Sequence, residues 1–563
     1  MTAGYDHGKG HRESPGRVAL TPGRLALAAI VLGTAARLAI ALYLGLGVDE
    51  AYTLANARSL QLSYFDHPPL SFWLVHLTVW FTGSEADAVV RLPFIGLFAV
   101  SNGLLYLLAK RLYSAWAGAW TVVLLNLSPI FGVAFGGWIL PDGPLLAALL
   151  ASALCLEGLL KTPPAPTPAN RRRRWALALG AGLFLGVACL AKYHGFLFGA
   201  GILLFLASSP THRRWLVRPE TWAAGVLAIA VFSPVLVWNA QHDWVSFAFQ
   251  AGRGAAQSRL RPDHVLLAVL GQALYIGPWI WPPLLAAVFL ALRRDGRAAG
   301  TWFLFCAGLL PVVVFTVVPL WAGRGLPHWQ APGYLFWLPI LGRETARWWI
   351  ERPRPARWWL GSAGALLALA AVVAVSHAGT GWAARRLPQL FAKGDPALEA
   401  LDWTDLRTEL AARGYLGRGG LFVVATRWID GGKIDAALHG RLPVVVLTDD
   451  PRNFAFQHDL RRFEGWNALI VGRPRPDGDW ARLYRPYFSE IEPLEDVCLA
   501  RAGHCALPLQ LFLARGYDGG YPVPYGPAAA PGALSALRKQ SEIHVATVRT
   551  DRFRDRSGWA IAQ

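Results

Sequence analysis

Apolar blocks of about 20 residues recur along the first two thirds of the chain, from about residue 25 to residue 378. A helix of that length crosses the roughly 30 Å hydrocarbon core of a bilayer. The pattern therefore predicts a bundle of transmembrane helices. The predicted spans are eleven in number and cover residues 25–47, 89–109, 116–136, 144–160, 175–190, 194–207, 221–238, 264–292, 298–320, 330–342 and 357–378.

After residue 380 the apolar blocks give way to short β-branched runs. LFVVAT from residue 421, PVVVLT from residue 443 and NALIVG from residue 467 are bounded by glycine, proline and charged residues, and DLRTELAARG before them is typical of a helix. One further strand is predicted at SEIHVATV from residue 541. The predicted regions are a basic N-terminus (1–24), a transmembrane domain (25–378) with a first loop at 48–88, and a C-terminal α/β domain (379–563).

Composition agrees with a membrane protein. Only 16% of the 563 residues are charged, against roughly a quarter in soluble domains. A net charge of +18 would suggest nucleic acid as the partner of a soluble protein, but here the cations lie mainly between the apolar blocks and in the tail. The cations between the blocks indicate which loops are cytoplasmic. They predict no nucleic-acid partner, a multi-pass protein of the cell inner membrane, a cytoplasmic N-terminus and an extracytoplasmic C-terminal domain.

In that oxidising compartment Cys498 and Cys505 could form a disulfide, and two free thiols are the alternative. We interpret the C-terminal domain as a structural appendage, with acceptor binding or covering of the site as the other interpretations.

The predicted external loops carry the candidate acids. Asp49 and Glu50 directly follow the first span, and a solvated helix end is the alternative interpretation. Asp66 and His67 precede a double proline that fixes a rigid turn. Asp142 lies between two prolines where a span begins, so it could also cap that helix.

The same side carries candidate cations. Lys192 interrupts two apolar segments and needs either a carboxylate from another loop or an anionic ligand. Arginine forks bind phosphate well. For His328 and Trp329, a place in the interfacial aromatic belt is the alternative. The arginines predicted on this side are Arg58, Arg91 and Arg324.

Taken in order, these motifs resemble a known family. DEAY, SYFDHPPL, RLP, the PD pair, AKY, PVLVWNAQHDWVSFAFQ and PHWQAPGY resemble the GT-C membrane glycosyltransferases of families 39 and 83, which include protein O-mannosyltransferases, lipid A aminoarabinose transferases and Rgt galacturonosyltransferases. The resemblance covers roughly residues 25–345. It implies a helical GT-C fold and inverting sugar transfer from a polyprenyl-phosphate donor to a lipid A, glycan or protein acceptor on the extracytoplasmic face.

The resemblance and the loop positions together assign residue roles. No cofactor is certain, and a divalent metal held by Asp49, Glu50 or Asp142 stays open because their spacing is no recognised metal signature. The assigned residues are Asp49, Glu50 and Asp142 for catalysis, Lys192, Arg58, Arg91 and His328 for the donor phosphate, and Tyr52, Asp66, His67, Tyr193 and Trp329 for the substrate pocket.

A membrane transporter or lipid flippase is the alternative function. Transporters place ionisable groups near the bilayer midplane and contain internal repeats. Here the charges lie at span ends apart from Arg37 and His194, and no convincing repeat is visible. This distribution favours an enzyme that works at the membrane interface.

Overall fold

The computed structural model describes residues 20–163, 167–254, 260–323, 325–475 and 480–525. The predictions for residues 1–19, for Arg324 and for the strand from residue 541 lie outside them. The helices up to residue 380 are α1 Pro22–Tyr43, α2 Val48–Ala57, α3 Leu70–Thr82, α4 Asp87–Leu112, α5 Ala115–Leu127, α6 Asp142–Leu160, α7 Pro168–Ala191, α8 His194–Ser208, α9 Pro219–Gln241, α10 Val245–Arg253, α11 Pro262–Ile276, α12 Trp281–Asp295, α13 Ala299–Val317, α14 Ala331–Glu351 and α15 Pro353–Thr380.

Long apolar helices make up the membrane part. Among the described residues, seven helices are long and apolar enough to span a bilayer, namely α1, α4, α6, α7, α9, α13 and α15. A bent pair, α11 and α12, would make an eighth. Helices lie at each of the eleven predicted positions, but several are shorter than a span, so the count of eleven stays a prediction.

The predicted span over 264–292 is bent, since α11 and α12 meet at an angle of 101°. Gly277 adopts a φ of +106° at the break, a conformation that favours glycine. Pro278 follows it, and Pro282 and Pro283 open the next helix. Since proline lacks the N–H that continues a helix, the chain turns here instead of running straight.

Local sequence signals explain several helix starts. The Thr21 side chain accepts a hydrogen bond from the Arg24 N–H at the start of α1, and Thr167 does the same for Asn170 at the start of α7. In both helices a proline occupies the first turn, where no N–H is required. Helix α14 is buried at every residue from 331 to 342, which explains why this segment reads as an apolar run.

A six-stranded sheet forms the C-terminal domain, in the order β2-β1-β3-β6-β4 with β5 paired to β6. β1 pairs in parallel with β2 and β3, and β6 is antiparallel to β3, β4 and β5. The elements are α16 Trp382–Arg386, α17 Thr404–Ala412, β1 Leu421–Ala425, α18 Trp428–Leu438, β2 Val444–Val446, β3 Asn467–Gly472, α19 Trp480–Tyr484, β4 Phe488–Pro493, β5 Val497–Arg501 and β6 His504–Tyr517.

A disulfide closes the last hairpin. Cys498 on β5 and Cys505 on β6 are bonded, with their Cα atoms 5.6 Å apart. Of the two alternatives that the sequence left open, the structure therefore shows the bonded pair.

Candidate active site

The two members of the acidic pair at the start of α2 have different surroundings. The carboxylate of Glu50 accepts hydrogen bonds from the N–H of Gly47 at 2.7 Å and the N–H of Ile139 at 3.0 Å. Arg91 Nε donates to the same carboxylate at 2.7 Å, and both side chains are at least 96% buried. Arg91 also donates to backbone carbonyls at the end of α1. Glu50 thus links α1, α2, α4 and the loop before α6.

These contacts predict that Glu50→Gln destabilises the fold. The substitution leaves the Arg91 guanidinium buried without its anion, which typically costs about 3–5 kcal/mol. We expect a clearly lower unfolding temperature for the purified protein in detergent. Glu351→Gln is the matched control, because its side chain is 55% exposed and pairs only with Arg347 on the helix surface. An unchanged unfolding temperature combined with lost turnover would instead indicate that Glu50 takes part in the reaction.

Asp49, by contrast, has a carboxylate with no hydrogen bond or ion pair among the described residues. Its side chain is exposed and lies within electrostatic reach of Asp66, Glu399 and Arg452, and we call the region among these side chains the cleft. Burial, together with the carboxylates of Asp66 and Glu399, raises the pKa of Asp49 to about 6, while Arg452 acts in the opposite direction. A carboxylate with a pKa near the working pH is suited to accept a proton.

Asp142 and Lys192 form a buried ion pair. Asp142 opens α6 and Lys192 directly follows α7. Lys192 Nζ donates to both carboxylate oxygens of Asp142, at 2.9 and 2.8 Å. Of the two partners expected for Lys192, a carboxylate from another loop and an anionic ligand, the structure therefore shows the carboxylate. The pair fixes an ammonium group where two helix ends meet.

Two histidines lie beside this ion pair in neutral form. Burial lowers the pKa of His328 to about 4, and the charge of Lys192 adds to the effect. Burial also lowers the pKa of His67, with Lys192 and Arg452 acting in the same direction and Asp66 against them. His67 therefore experiences charges from both ends of the cleft.

The predicted pocket residues line the cleft between these groups. Tyr52 donates its hydroxyl to Asp66 at 3.0 Å, and the Asp66 carbonyl accepts from Gln250 at 2.7 Å. The carbonyl of Trp329 lies 3.1 Å from a ring nitrogen of His194. Tyr193 caps α8, and its buried hydroxyl has no hydrogen-bond partner in the described part of the chain.

Two arginines that the sequence analysis did not select also face the cleft. The guanidinium of Arg253, at the end of α10, lies 4.9 Å from the Trp329 ring and 5.7 Å from the Phe249 ring. Within the described residues it has no carboxylate at salt-bridge distance. Arg452 reaches in from the C-terminal domain, with Nη1 3.5 Å from Asp66. Both lie outside recognised motifs, and only the domain packing reveals them.

The contacts of Arg58 favour a structural role over the predicted phosphate-binding one. Its Nε donates to Asp435 at 2.7 Å, its Nη2 donates to Glu85 at 2.8 Å, and its Nη1 also pairs with Glu85. All three guanidinium nitrogens are thus engaged where the first loop meets the C-terminal domain. Arg91 is equally saturated by Glu50 and by backbone carbonyls.

The three metal candidates do not converge. Glu50 and Asp142 face Arg91 and Lys192, whereas Asp49 faces the cleft. Across the described ranges no group of three or more histidine, cysteine, aspartate or glutamate side chains is placed to hold a metal ion. Metal dependence stays a matter for experiment.

Comparison with known proteins identifies the fold. The family model for dolichyl-phosphate-mannose-protein mannosyltransferases matches residues 66–238. The crystal structure of ArnT from Cupriavidus metallidurans bound to undecaprenyl phosphate superimposes with a TM-score of 0.57, at 14% identity, over 90% of this chain and 98% of that one. The chain has the GT-C fold. The predicted fold class, a mostly helical GT-C bundle with a small C-terminal α/β region, is confirmed.

Two curated relatives are similar to this chain in sequence. The lipid A galacturonosyltransferase RgtD of Rhizobium johnstonii is 27% identical over 51% of this chain and 58% of its own length. The undecaprenyl phosphate-alpha-4-amino-4-deoxy-L-arabinose arabinosyl transferase of Erwinia tasmaniensis is 26% identical over 46% of each chain. The alignments thus span about half the length of these relatives. The resemblance to GT-C glycosyltransferases drawn from the motifs is confirmed.

The GT-C family match includes much of the cleft. Its range of 66–238 begins at Asp66 and contains His67, Asp142 and Lys192. It ends before Arg253 and before the C-terminal domain that carries Arg452. The cleft of this GT-C protein is therefore completed by residues outside the matched range.

Proposed function

We propose that this protein is an inverting membrane glycosyltransferase that moves a sugar from a polyprenyl-phosphate donor to an envelope acceptor, with lipid A as the first acceptor to test. The observation that carries the proposal is the grouping of charges around His67, which experiences Lys192 and Arg253 and also Asp66 and Arg452, the two groups that act on Asp49. The relatives support the reaction class, since one acts on lipid A and the other uses an undecaprenyl-phosphate sugar by name.

The donor phosphate would lie at the membrane end of the cleft. A polyprenyl tail stays in the bilayer, so the phosphate joined to it reaches the cleft from that side. There it meets the ammonium of Lys192, held by Asp142, and the guanidinium of Arg253, which faces aromatic rings instead of an acid. Preorganised cations of this kind stabilise the charge that grows on a leaving group. The structure of ArnT bound to undecaprenyl phosphate supports this class of donor.

Asp49 would act as the general base. The acceptor oxygen bonds to the anomeric carbon while the bond from that carbon to the phosphate oxygen breaks, and the electron pair leaves with the phosphate. The acceptor hydroxyl gives its proton to Asp49. Attack from the face opposite the phosphate inverts the anomeric carbon. Glu50 supports this step by fixing the start of α2 through Arg91.

The alternation of helix ends supports an extracytoplasmic cleft in the inner membrane. Asp142 begins α6 on the cleft side, and Lys161 follows the other end of that helix, where Arg111 also pairs with Glu157. Basic residues collect at the ends away from the cleft, as the positive-inside rule expects of cytoplasmic ends. The disulfide in the C-terminal domain is in keeping with an oxidising compartment.

A transfer assay tests the proposed function. The purified protein is incubated with polyprenyl phosphate bearing galacturonic acid or aminoarabinose and with lipid A. We expect mass spectrometry to show release of polyprenyl phosphate and gain of one sugar on the acceptor. Recovery of the intact donor with every acceptor tried, together with its movement between the leaflets of proteoliposomes, would instead establish a flippase.

The pH dependence of transfer follows from Asp49. A base works only when ionised, and the Asp49 pKa is raised to about 6, so kcat/KM should rise with pH and level off above pH 7. At pH 5 it should be about tenfold below the plateau, since only about a tenth of the carboxylate is ionised one unit below its pKa. The pKa of His328 is lowered to about 4, so this histidine does not produce the limb. A flat profile from pH 5 to 7 would contradict the assignment.

A further inference from the structure

The C-terminal domain is docked in a fixed orientation on the helix that carries Asp49. On α18, a Cβ at Gly432 would lie 2.7 Å from the backbone nitrogen of Tyr52, so only glycine allows this close approach. The Asn453 side chain donates to Asn56 at 2.8 Å and accepts from the Phe65 N–H at 2.9 Å. Asn453 and Asn56 are both fully buried. Such contacts hold the domain in register with the cleft.

The edge of the sheet that faces the cleft is rich in arginine. In open α/β sheets, ligands bind at the carboxyl ends of parallel strands. Here β1, β2 and β3 are the parallel strands, and Arg452 brings their carboxyl edge to within 3.5 Å of Asp66 in the first loop. The residues that follow these strands are Thr426 and Arg427 after β1, Asp450 and Arg452 after β2, and Arg473 after β3.

Arg452 is held rigidly at this edge. Its backbone has a φ of +51°, a conformation that residues other than glycine rarely adopt. The backbone N–H donates to the Tyr525 hydroxyl at 2.7 Å, and Nε lies 3.0 and 3.1 Å from the two oxygens of Asp450. The guanidinium faces the rings of Phe249 at 4.9 Å and Trp428 at 4.8 Å. Strained backbone of this kind is typical of ligand-binding positions.

The neighbouring arginines leave a positive charge at the edge. Arg427 and Arg473 share one buried carboxylate, that of Asp430, at 2.8 and 2.7 Å. Both guanidinium groups remain partly open to solvent, with 43% and 31% of their side chains exposed. Beside them the hydroxyl of Thr426, which is 3% exposed, has no hydrogen-bond partner in the described part of the chain. Two cations thus face outward with one anion between them.

We infer that this edge, formed by Arg427, Arg452 and Arg473, binds an anionic group of the acceptor, a phosphate or a carboxylate, while Asp49 takes the proton from the acceptor hydroxyl. The inference rests on the proposed function. The planar guanidinium fork matches the oxygens of either anion. The donor phosphate has its own cations, Lys192 and Arg253, at the membrane end, whereas this edge belongs to the domain beyond the last membrane helix. The C-terminal domain is then part of the active site and not an appendage.

The test compares acceptor and donor kinetics in Arg427→Gln and Arg452→Gln. With lipid A as the probe acceptor, we expect the acceptor KM to rise about 10- to 100-fold, the equivalent of one lost hydrogen bond to a charged group. The donor KM should change by less than about threefold in both variants, and so should kcat in Arg427→Gln, since Arg452 but not Arg427 acts on the pKa of Asp49. Dephosphorylated lipid A given to the unmodified protein should reproduce the high acceptor KM. Arg461→Gln is the matched control, because Arg461 is 75% exposed and pairs only with Asp459, outside the cleft.

The outcomes of these kinetics distinguish a failure of the acceptor-binding inference from a failure of the proposed function. An unchanged acceptor KM in both variants overturns the inference while leaving the proposed function standing, and so does a rise in the donor KM alone. If Arg452→Gln fails to fold, Arg427→Gln still carries the test, since its side chain is largely exposed. If the unmodified protein transfers no sugar to any acceptor, the proposed function and this inference fall together.

Discussion

Asp49→Asn should lower kcat for sugar transfer by about 10²- to 10⁴-fold, the usual contribution of a general base. The amide keeps the size of the side chain and cannot accept the proton. The KM for the donor should change little, because the proposed phosphate site is formed by Lys192 and Arg253 and does not include Asp49. Initial rates with purified protein and a saturating polyprenyl-phosphate sugar measure the effect.

The same substitution should not weaken the fold. Burial and the neighbouring acids Asp66 and Glu399 raise the Asp49 pKa, so the ionised carboxylate destabilises the folded state above pH 6. A neutral side chain removes this destabilisation of the folded state, so the unfolding temperature at pH 7 should stay equal or rise. Asp243→Asn, at an exposed external turn with a φ of +52° that asparagine tolerates, is the matched control. Near-normal turnover in Asp49→Asn would remove Asp49 from the base role.

Lys192→Gln should also cause a large loss, about 10²- to 10³-fold in kcat, as is typical when one donor to a developing anion is removed. In the proposed reaction this ammonium stabilises the phosphate as it leaves. Because the single change also strands the buried Asp142 carboxylate, part of the loss could come from the fold. The rate is measured by release of polyprenyl phosphate from the donor.

A double variant separates the two effects. Asp142→Asn combined with Lys192→Gln replaces the ion pair by two neutral amides, so the unfolding temperature should recover while kcat stays low. Lys161→Gln is the control, since Lys161 pairs with Glu157 at the opposite end of α6 and is 57% exposed. Recovery of the rate in the double variant would show that Lys192 only holds the two helix ends together.

The sequence predicted the helices and the first three strands well because their signals are local. Apolar runs of about 20 residues require a membrane, and β1 and β2 read as continuous apolar runs since every residue in them is buried. β4 was missed because Glu490 and Glu492 interrupt its pattern, and both pair with Arg515 on β6 only once the sheet forms. The bend between α11 and α12 has a local signal in Gly277 and the prolines that follow it.

The sequence predicted which loops carry the candidate site, but it did not predict which side chains pair with each other there. Asp49 and Glu50 look alike in sequence, and what distinguishes them is Arg91, which is 41 residues away from Glu50 along the chain. Arg452 enters the cleft only because α18 docks on α2, a tertiary contact with no sequence signature. One usable signal existed, since Arg452 closely follows a predicted strand, and α/β domains place their ligand-binding residues after the parallel strands.

The most direct test of the central claim is mass spectrometry of envelope lipids from cells that lack the gene, complemented with either the unmodified protein or Asp49→Asn. The proposed chemistry predicts that one sugar mass is lost from an envelope lipid on deletion. It should return with the unmodified protein and stay absent with Asp49→Asn at equal protein abundance. Full restoration by Asp49→Asn, or an unchanged lipid profile on deletion, would contradict glycosyl transfer at this cleft.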